Sequence, residues 1–185
     1  MRPLLSSVFL IFLLSSCSTT YLPYSYHYPL RREAFLSRDS SFAGLIPEGW
    51  FYSSEDTLAP SAIAWIVKDD FSATLSVQEL HLDQLTKTRV DKEGLELLAN
   101  ISLSSQDESH SVLNDEHKPR KFKMRGREFC GYELTGQNLS KRVVVFSVNG
   151  RYYECIAMPV KGAPQHEEIS NMFTAQQAFL YSLTF

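Results

Sequence analysis

The chain has 185 residues, which leaves room for one domain and a tail. With 44% hydrophobic and 21% charged residues it has the composition of a globular protein, and its 8 glycines and 8 prolines exclude a collagen-like or linker-like chain. Three cysteines are too few for a disulfide scaffold, and a formal net charge of −3 gives no indication of nucleic-acid binding.

The first sixteen residues have the organisation of a signal peptide. Residues 1–3 (MRP) are a short positive start, and residues 4–14 (LLSSVFLIFLL) are apolar but too few to span a bilayer, which needs about 20 residues. Residues 14–17 (LSSC) follow directly and resemble the lipobox of bacterial lipoproteins. That resemblance implies cleavage before Cys17, diacylation of its thiol and acylation of the new amine. The alternative is a soluble secreted protein with a chance cysteine.

Ser18 follows this cysteine at the position where an Asp favours retention in the inner membrane. Ser18 therefore predicts sorting to the periplasmic face of the outer membrane, where the lipid on Cys17 would anchor the chain. A triacylated cysteine supplies more than the two lipid signals that stable anchoring requires.

Residues 17–40 are predicted to be the lipidated cysteine and a flexible tether, because they lack apolar periodicity. The segment contains four tyrosines, Tyr21, Tyr24, Tyr26 and Tyr28. Their rings could rest at the lipid headgroups, or the segment could be an arm packed on its own domain. The folded domain is predicted over residues 41–185.

The domain is predicted to open with strands. Residues 42–46 and 50–52 are β-prone and flank the turn Pro47-Glu48-Gly49. Residues 62–67 (AIAWIV) are continuously apolar, as in a strand covered on both faces. Residues 71–78 alternate apolar and polar side chains, which predicts a strand with one solvent-facing side.

A helix is predicted next, capped by Thr88 with Asp91 three residues later. Its apolar stripe consists of Val90, Gly94, Leu97, Leu98 and Ile101. A polar loop is predicted over residues 104–115.

The rest of the chain is predicted to be a meander and a closing helix. Strands are expected at residues 120–124, 127–134, 142–148 and 151–158. Asn149-Gly150 is the strongest hairpin signal, because both positions tolerate positive φ. A helix is predicted over residues 164–178, with Pro164 in its first turn, and a short strand over residues 180–185.

This order of elements predicts an α+β fold, in which one antiparallel sheet is flanked by helices on both faces. It resembles the PsbP family of photosystem II extrinsic proteins and the Mog-type Ran-binding proteins, which share an α/β/α sandwich. The resemblance lies in the opening Ile46-Pro47-Glu48-Gly49-Trp50, the paired strands before a helix, the Val-rich meander, and the closing Ser182-Leu183-Thr184-Phe185. Members of this family have different functions, so the resemblance implies a fold and not a function.

Cys130 and Cys155 are predicted to lie on strands separated by the strand of residues 142–148. Two strand spacings are about 9.6 Å, more than the ~7 Å between Cα atoms that a disulfide tolerates. The register around Asn149-Gly150 places Cys155 opposite Val144. Both cysteines are therefore predicted to be buried and unpaired, the alternatives being a disulfide between them or a reactive thiol.

The sequence contains few motifs that indicate a metal site or a catalytic site. His110 and His117 lie in an acidic loop that could in principle hold a metal, but their spacing matches no zinc or calcium motif. No nucleophile elbow, phosphate loop or zinc-protease motif occurs. The sequence therefore predicts no catalytic residue, no metal ligand and no cofactor, and it identifies no small-molecule substrate.

The most conspicuous charge feature is a basic stretch between residues 118 and 127. Its six cations, with no acidic residue among them, are Lys118, Arg120, Lys121, Lys123, Arg125 and Arg127. A strand would present Lys121, Lys123 and Arg125 on one face, which could meet anionic lipid, glycan phosphate or an acidic partner. The alternative is that the charges only keep an edge hairpin soluble.

These features predict a lipid-anchored bacterial envelope lipoprotein without enzymatic activity, which binds a partner protein or assists assembly. The second hypothesis is a small-ligand or metal-binding lipoprotein with its site in a cleft between sheet and helix, and the third is an envelope enzyme. A flat apolar or basic patch would favour the first hypothesis, whereas a pocket with convergent polar groups would favour the other two.

Overall fold

The computed structural model describes residues 22–54, 59–106, 118–135, 140–160 and 164–185. Within these ranges the chain forms an α+β domain. Its elements are β1 (Leu30–Leu36), β2 (Ala43–Pro47), β3 (Trp50–Tyr52), β4 (Ala62–Lys68), β5 (Ala73–Leu80), α1 (Gln84–Glu93), α2 (Leu95–Gln106), β6 (Arg120–Met124), β7 (Arg127–Thr135), β8 (Ser140–Val148), β9 (Arg151–Pro159) and α3 (His166–Ser182).

The main sheet has seven strands in the order β3-β4-β5-β9-β8-β7-β6, and β1 pairs with β2 in a separate sheet. Every neighbouring pair of the main sheet is antiparallel. Strand β9 lies at the centre and joins the β3–β5 hairpins to the β6–β8 meander. The predicted α+β class with a large antiparallel sheet is therefore confirmed.

Alternate side chains of β8 belong to two separate apolar clusters. Val144 belongs to the cluster that includes Phe173 of α3. Val143 belongs to the cluster that includes Leu98 of α2. Because both of its sides are buried, β8 shows a continuous apolar run instead of alternation.

The mid-chain helix differs from its prediction. There are two helices, and α1 begins after Asp83, whose carboxylate accepts two first-turn backbone hydrogen bonds at 2.9 and 3.0 Å. Thr88 therefore lies inside α1. Gly94 ends this helix with φ +88°, a conformation that side chains disfavour. Helix α2 then continues to residue 106, where a loop was expected from residue 104.

The meander follows its prediction closely. Asn149 and Gly150 form the β8–β9 turn with φ of +50° and +75°, and Cys155 lies opposite Val144. Cys130 on β7 and Cys155 on β9 are separated by β8 and belong to different apolar clusters. They therefore face opposite sides of the sheet, and both are free thiols.

The predicted closing strand is wrong. Helix α3 continues to Ser182, because Phe179 and Leu180 are buried in the cluster that also contains β2. Thr184 then makes an isolated antiparallel bridge with Ala43.

Residues 22–29, named the arm here, pack on the domain. The ring of Tyr24 meets the edge of Phe173 with centroids 5.4 Å apart, and Tyr26 stacks on Tyr181 at 4.4 Å. Residues 30–36 then form β1. The packed-arm alternative thus holds from residue 22 onward, because Tyr24 and Tyr26 pack their rings against α3. Among the described residues, no helix is both long and apolar enough to cross a membrane.

Candidate functional site

The predicted lipidation site, Cys17, lies outside the described residues, as does the acidic loop with His110 and His117. The first described residue, Leu22, packs against the core. Leu22 is five positions after Cys17 in the sequence, a reach of at most about 18 Å. A lipid on Cys17 would therefore be attached close to the arm.

The six cations of the basic stretch do not form one patch. Lys121 pairs with Glu96 of α2 at 3.0 Å between Nζ and Oε2, and this hydrogen bond raises the pKa of Lys121. Arg125 sits in the β6–β7 turn with φ +49°, and its guanidinium lies 5.6 Å from the ring centre of Tyr181 on α3. The expected common face of Lys121, Lys123 and Arg125 is therefore wrong, because the turn directs Arg125 to the α3 side.

Arg127 contacts Leu183 and Phe185, which follow helix α3. Its Nη1 donates a hydrogen bond to the Leu183 carbonyl at 2.6 Å, and its guanidinium lies 4.1 Å from the ring centre of Phe185. Lys123 is exposed on β6. Arg127 and Lys123 therefore lie on different surfaces, although both belong to the basic stretch.

The remaining two cations line a cavity of about 180 Å3 between the arm and strands β6–β8. Pro23 and Tyr24 of the arm contribute one wall of this cavity. Its charged lining residues are Lys118, Arg120, Glu133 and Arg142. Among the described lining residues, the cavity therefore brings three cations and one carboxylate together.

Arg142 is 1% exposed, and neutral oxygen atoms hold its guanidinium. Nη1 donates to Gln176 Oε1 at 3.0 Å and Nη2 to Gln177 Oε1 at 2.6 Å, while Glu133 Oε1 lies 3.9 Å from Nε. The ring centre of Tyr24 is 4.8 Å from the guanidinium carbon, and the Tyr24 hydroxyl donates to Glu133 at 3.1 Å. Tyr24 thus connects the arm to both charged groups.

A second candidate surface is the open apolar face of β3–β5. Phe51, Val67 and Thr74 are cross-strand neighbours on this face. Phe71 is 60% and Val160 50% exposed beside them. The described residues that line a shallow depression here are all uncharged: Phe51, Ser53, Trp65, Val67, Phe71, Thr74 and Val160. Such a surface suits an apolar partner.

A third candidate is a cleft of about 170 Å3 between α3 and the sheet edge. Trp50 and Lys68 line it from the sheet, and Asn171 lines it from α3. Trp50 is 1% exposed, and its Nε1 has no hydrogen-bond partner among the residues that the structure describes. Lys68 Nζ contacts an Asp70 carboxylate oxygen at 3.0 Å.

A buried polar network lies on the α2 side of the sheet. Glu154 is 4% exposed and accepts hydrogen bonds from Ser102 Oγ at 2.8 Å and from Gln78 Nε2. The Tyr132 hydroxyl lies 2.8 Å from the same Ser102 oxygen. Sequence reasoning did not single out Glu154 or Arg142. For Glu154 the available signal was a lone charged residue inside an apolar strand, whereas Arg142 directly follows Lys141 at the start of its strand and gives no such signal.

The cysteines show no sign of reactivity. Burial raises the pKa of both Cys130 and Cys155 to about 12, so both thiols stay protonated near neutral pH. Within the described part of the chain, no three His, Cys, Asp or Glu side chains are grouped so as to hold a metal ion.

Neither a protein-family model nor a curated protein matches this chain. Among solved structures, it is similar to the solution structure of cyanobacterial PsbP (CyanoP) from Synechocystis sp. PCC 6803, at 13% identity and a TM-score of 0.47 over 93% of this chain and 98% of that one. A crystal structure from Bacteroides thetaiotaomicron VPI-5482 matches at 10% identity and a TM-score of 0.41, over 82% of this chain and 47% of that one. The PsbP-like resemblance of the sequence recurs in the first match, and neither match carries a conclusion about function.

Proposed function

We propose that this chain is a lipid-anchored envelope lipoprotein without enzymatic activity, whose PsbP/Mog-like domain binds a partner protein. Residues 1–16 are its signal peptide, and lipid on Cys17 holds it at the periplasmic face of the outer membrane. The domain is an α/β/α sandwich. The separate clustering of Val143 with α2 and of Val144 with α3 supports this architecture.

The observation that carries the partner-binding proposal is the open apolar face of β3–β5. Phe71, Val160 and Met158 are 60%, 50% and 41% exposed, and Met158 lies opposite Thr74 of this face. None of the described residues that line its depression is charged, so the partner is an envelope protein that presents an apolar surface of its own.

The anchor is tested by substituting the cysteine. Cys17→Ala should abolish metabolic labelling with acyl chains and leave the unprocessed precursor, because the thiol is the site of diacylation. A variant that is still processed and still fractionates with membranes would overturn the lipoprotein proposal.

The partner surface is tested by site-specific photo-crosslinking of the anchored chain in its native envelope. A photoreactive residue at Phe71 should give one defined crosslinked product, and a second substitution, Val160→Glu, should remove it by placing a charge in the interface. A photoreactive residue at Leu85, which is 73% exposed on α1, serves as the matched control. Equal products from both positions would contradict the proposal.

A small-ligand function is the second candidate, and the cleft beside Trp50 favours it. The chain has two tryptophans, so the Trp65→Phe variant leaves Trp50 as the only indole. Titration of this variant with a panel of small carboxylates should change its fluorescence if the cleft binds them. The same titration of a Trp50→Phe variant is the control, and identical curves would eliminate this candidate.

A further inference from the structure

Burial along β9 changes abruptly on the side of the sheet where α1 and α2 lie. Tyr152, Glu154 and Ile156 point to this side and are 7%, 4% and 8% exposed. Tyr152 and Ile156 belong to the apolar cluster that includes α2, and Glu154 accepts a hydrogen bond from Ser102 of that helix. Met158, the next side chain on this side, is 41% exposed. Among the described residues, the helical layer therefore ends between Ile156 and Met158.

Met158 begins a row of side chains, named the open row here, that crosses four strands. It lies opposite Thr74 of β5. Thr74 lies opposite Val67 of β4, which lies opposite Phe51 of β3. The ring of Phe71 meets the edge of Phe51 with centroids 5.7 Å apart. Three strand spacings are about 14 Å, so the open row has room for one α-helix, whose diameter with side chains is about 10–12 Å.

The position of the exposed side chains favours a helix over an added strand. An added strand pairs with the backbone at the edge of a sheet, and the edge strand next to this face, β3, has only three residues. The exposed Met158 and Val160 lie instead at the end of the central strand, three strands from that edge. A helix placed over the open row would lie in the layer that α1 and α2 already form on the same sheet.

We infer that the partner presents the apolar stripe of an amphipathic α-helix to the open row, and that this helix continues the α1–α2 layer across β3–β5. The inference rests on the proposed partner surface and specifies the structure that this surface recognises. The depression along the row has no charged side chain among its described lining residues. The helix would therefore present apolar side chains at positions i, i+3 or i+4, and i+7.

Photo-crosslinking of the lipid-anchored full chain in its native envelope tests this inference. A photoreactive residue is placed at Phe71, Met158 or Val160, one in each variant, and the attachment sites on the partner are sequenced by mass spectrometry. The sites should lie in one segment and be three, four or seven residues apart, because such positions share one face of a helix. Sites that alternate every second residue would indicate a strand and overturn the inference. A photoreactive residue at Leu85 on α1 is the control and should reach none of these sites.

Two matched substitutions test the position of the contact. Met158→Glu should lower the yield of the Phe71 product about tenfold, because it places a charge in the open row. Leu85→Glu introduces the same charge at an exposed apolar residue of α1 and should change this yield by less than about twofold. The thermal midpoints of both variants are measured to confirm that they fold alike. Equal loss of product in both variants would overturn the open row as the site.

The remaining outcomes separate the possible errors. Attachment to a second copy of this chain, or to acyl chains alone, would overturn the inference. A specific Phe71 product whose attachment sites fit no helical spacing would overturn this inference and leave the proposed function in place. No product from any of the three positions, or equal products from Phe71 and Leu85, would overturn the proposed partner surface itself.

Discussion

Arg142 and Glu154 are the two charged residues that are buried among those the structure describes, at 1% and 4% exposure. They lie on opposite sides of the sheet, Arg142 beside the glutamines of α3 and Glu154 beside Ser102 of α2. Neutral hydrogen-bonding groups make the shortest contacts to both. A buried charge that is satisfied in this way is costly to remove, because its partners remain buried without it.

Arg142→Met should lower the free energy of unfolding by about 2–4 kcal/mol, because it leaves the carbonyl oxygens of Gln176 and Gln177 unpaired. Arg32→Met on the exposed side of β1 is the control and should change it by less than about 0.5 kcal/mol. Urea unfolding of both variants measures the difference. Equal effects would show that the Arg142 hydrogen bonds contribute little.

The two domain thiols should resist modification in the native state. Burial raises the pKa of Cys130 and Cys155 from 9.0 to about 12, so a disulfide reagent at pH 8 should react with neither until the protein is denatured, when it should react with both. Two thiols that react only after reduction would mean that the strand order is wrong.

The same shift has a consequence for stability. The folded-state pKa of each thiol lies above the unfolded value, so the contribution of the protonated thiols is complete below about pH 9 and is lost as the pH rises towards 12. Unfolding midpoints measured across this range in the wild type and in a Cys130→Ala, Cys155→Ala variant should converge at high pH. A difference that is independent of pH would contradict the shift.

At the scale of elements, Gly94 divides the mid-chain helical segment into two helices, α1 and α2. Its φ of +88° and ψ of −176° separate α1 from α2, and a Cβ built there meets no atom within 4 Å. The constraint is therefore one of backbone conformation and not of space.

Gly94→Ala should destabilise the protein by about 1–3 kcal/mol, because an L side chain is strained in this region of φ and ψ. Lys92→Ala, two residues earlier at an exposed position of α1, should be close to neutral. Thermal unfolding of both variants provides the measurement. A neutral Gly94→Ala would mean that α1 and α2 can join into one helix.

Turns with strong local chemistry could be predicted from the sequence, whereas packing over long range could not. Asn149-Gly150 specifies a two-residue hairpin by itself, and this fixed the register that places Cys155 opposite Val144. The break at Gly94 was missed, because its neighbours keep a helical apolar spacing on both sides. The cavity was missed for a different reason, since it joins Tyr24 to Arg142 and no local pattern records that contact.

At the scale of the whole molecule, the arm leaves few residues between the packed domain and Cys17. Tyr24, Tyr26 and Tyr28 each contact the domain, and β1 pairs with β2 immediately afterwards. The domain therefore begins five residues after Cys17 and not at residue 41. Under the proposed lipidation of Cys17, the domain would stay close to the membrane surface.

Trypsin should leave the membrane-bound lipidated chain intact at Arg31 and Arg32, because a protease must first detach the arm and β1. Tyr24→Ala with Tyr26→Ala should speed this cleavage by about tenfold, as expected from losing about 1.4 kcal/mol of local stability. Mass spectrometry of the amino-terminal fragment follows the reaction. Rapid cleavage of the wild type at these bonds would show that the segment is a flexible tether.

The central position of β9 sets the order in which the sheet can close. Strands β3–β5 and β6–β8 form from neighbouring segments, but they join only through the pairing of residues 73–80 with residues 152–159. A chain that emerges amino end first leaves β5 and β8 as open edges until β9 follows, and we therefore expect the long-range pairing of β5 with β9 to form late in folding. For a chain that carries the proposed signal peptide, we expect this late closure to delay compaction until most of the polypeptide has crossed the membrane.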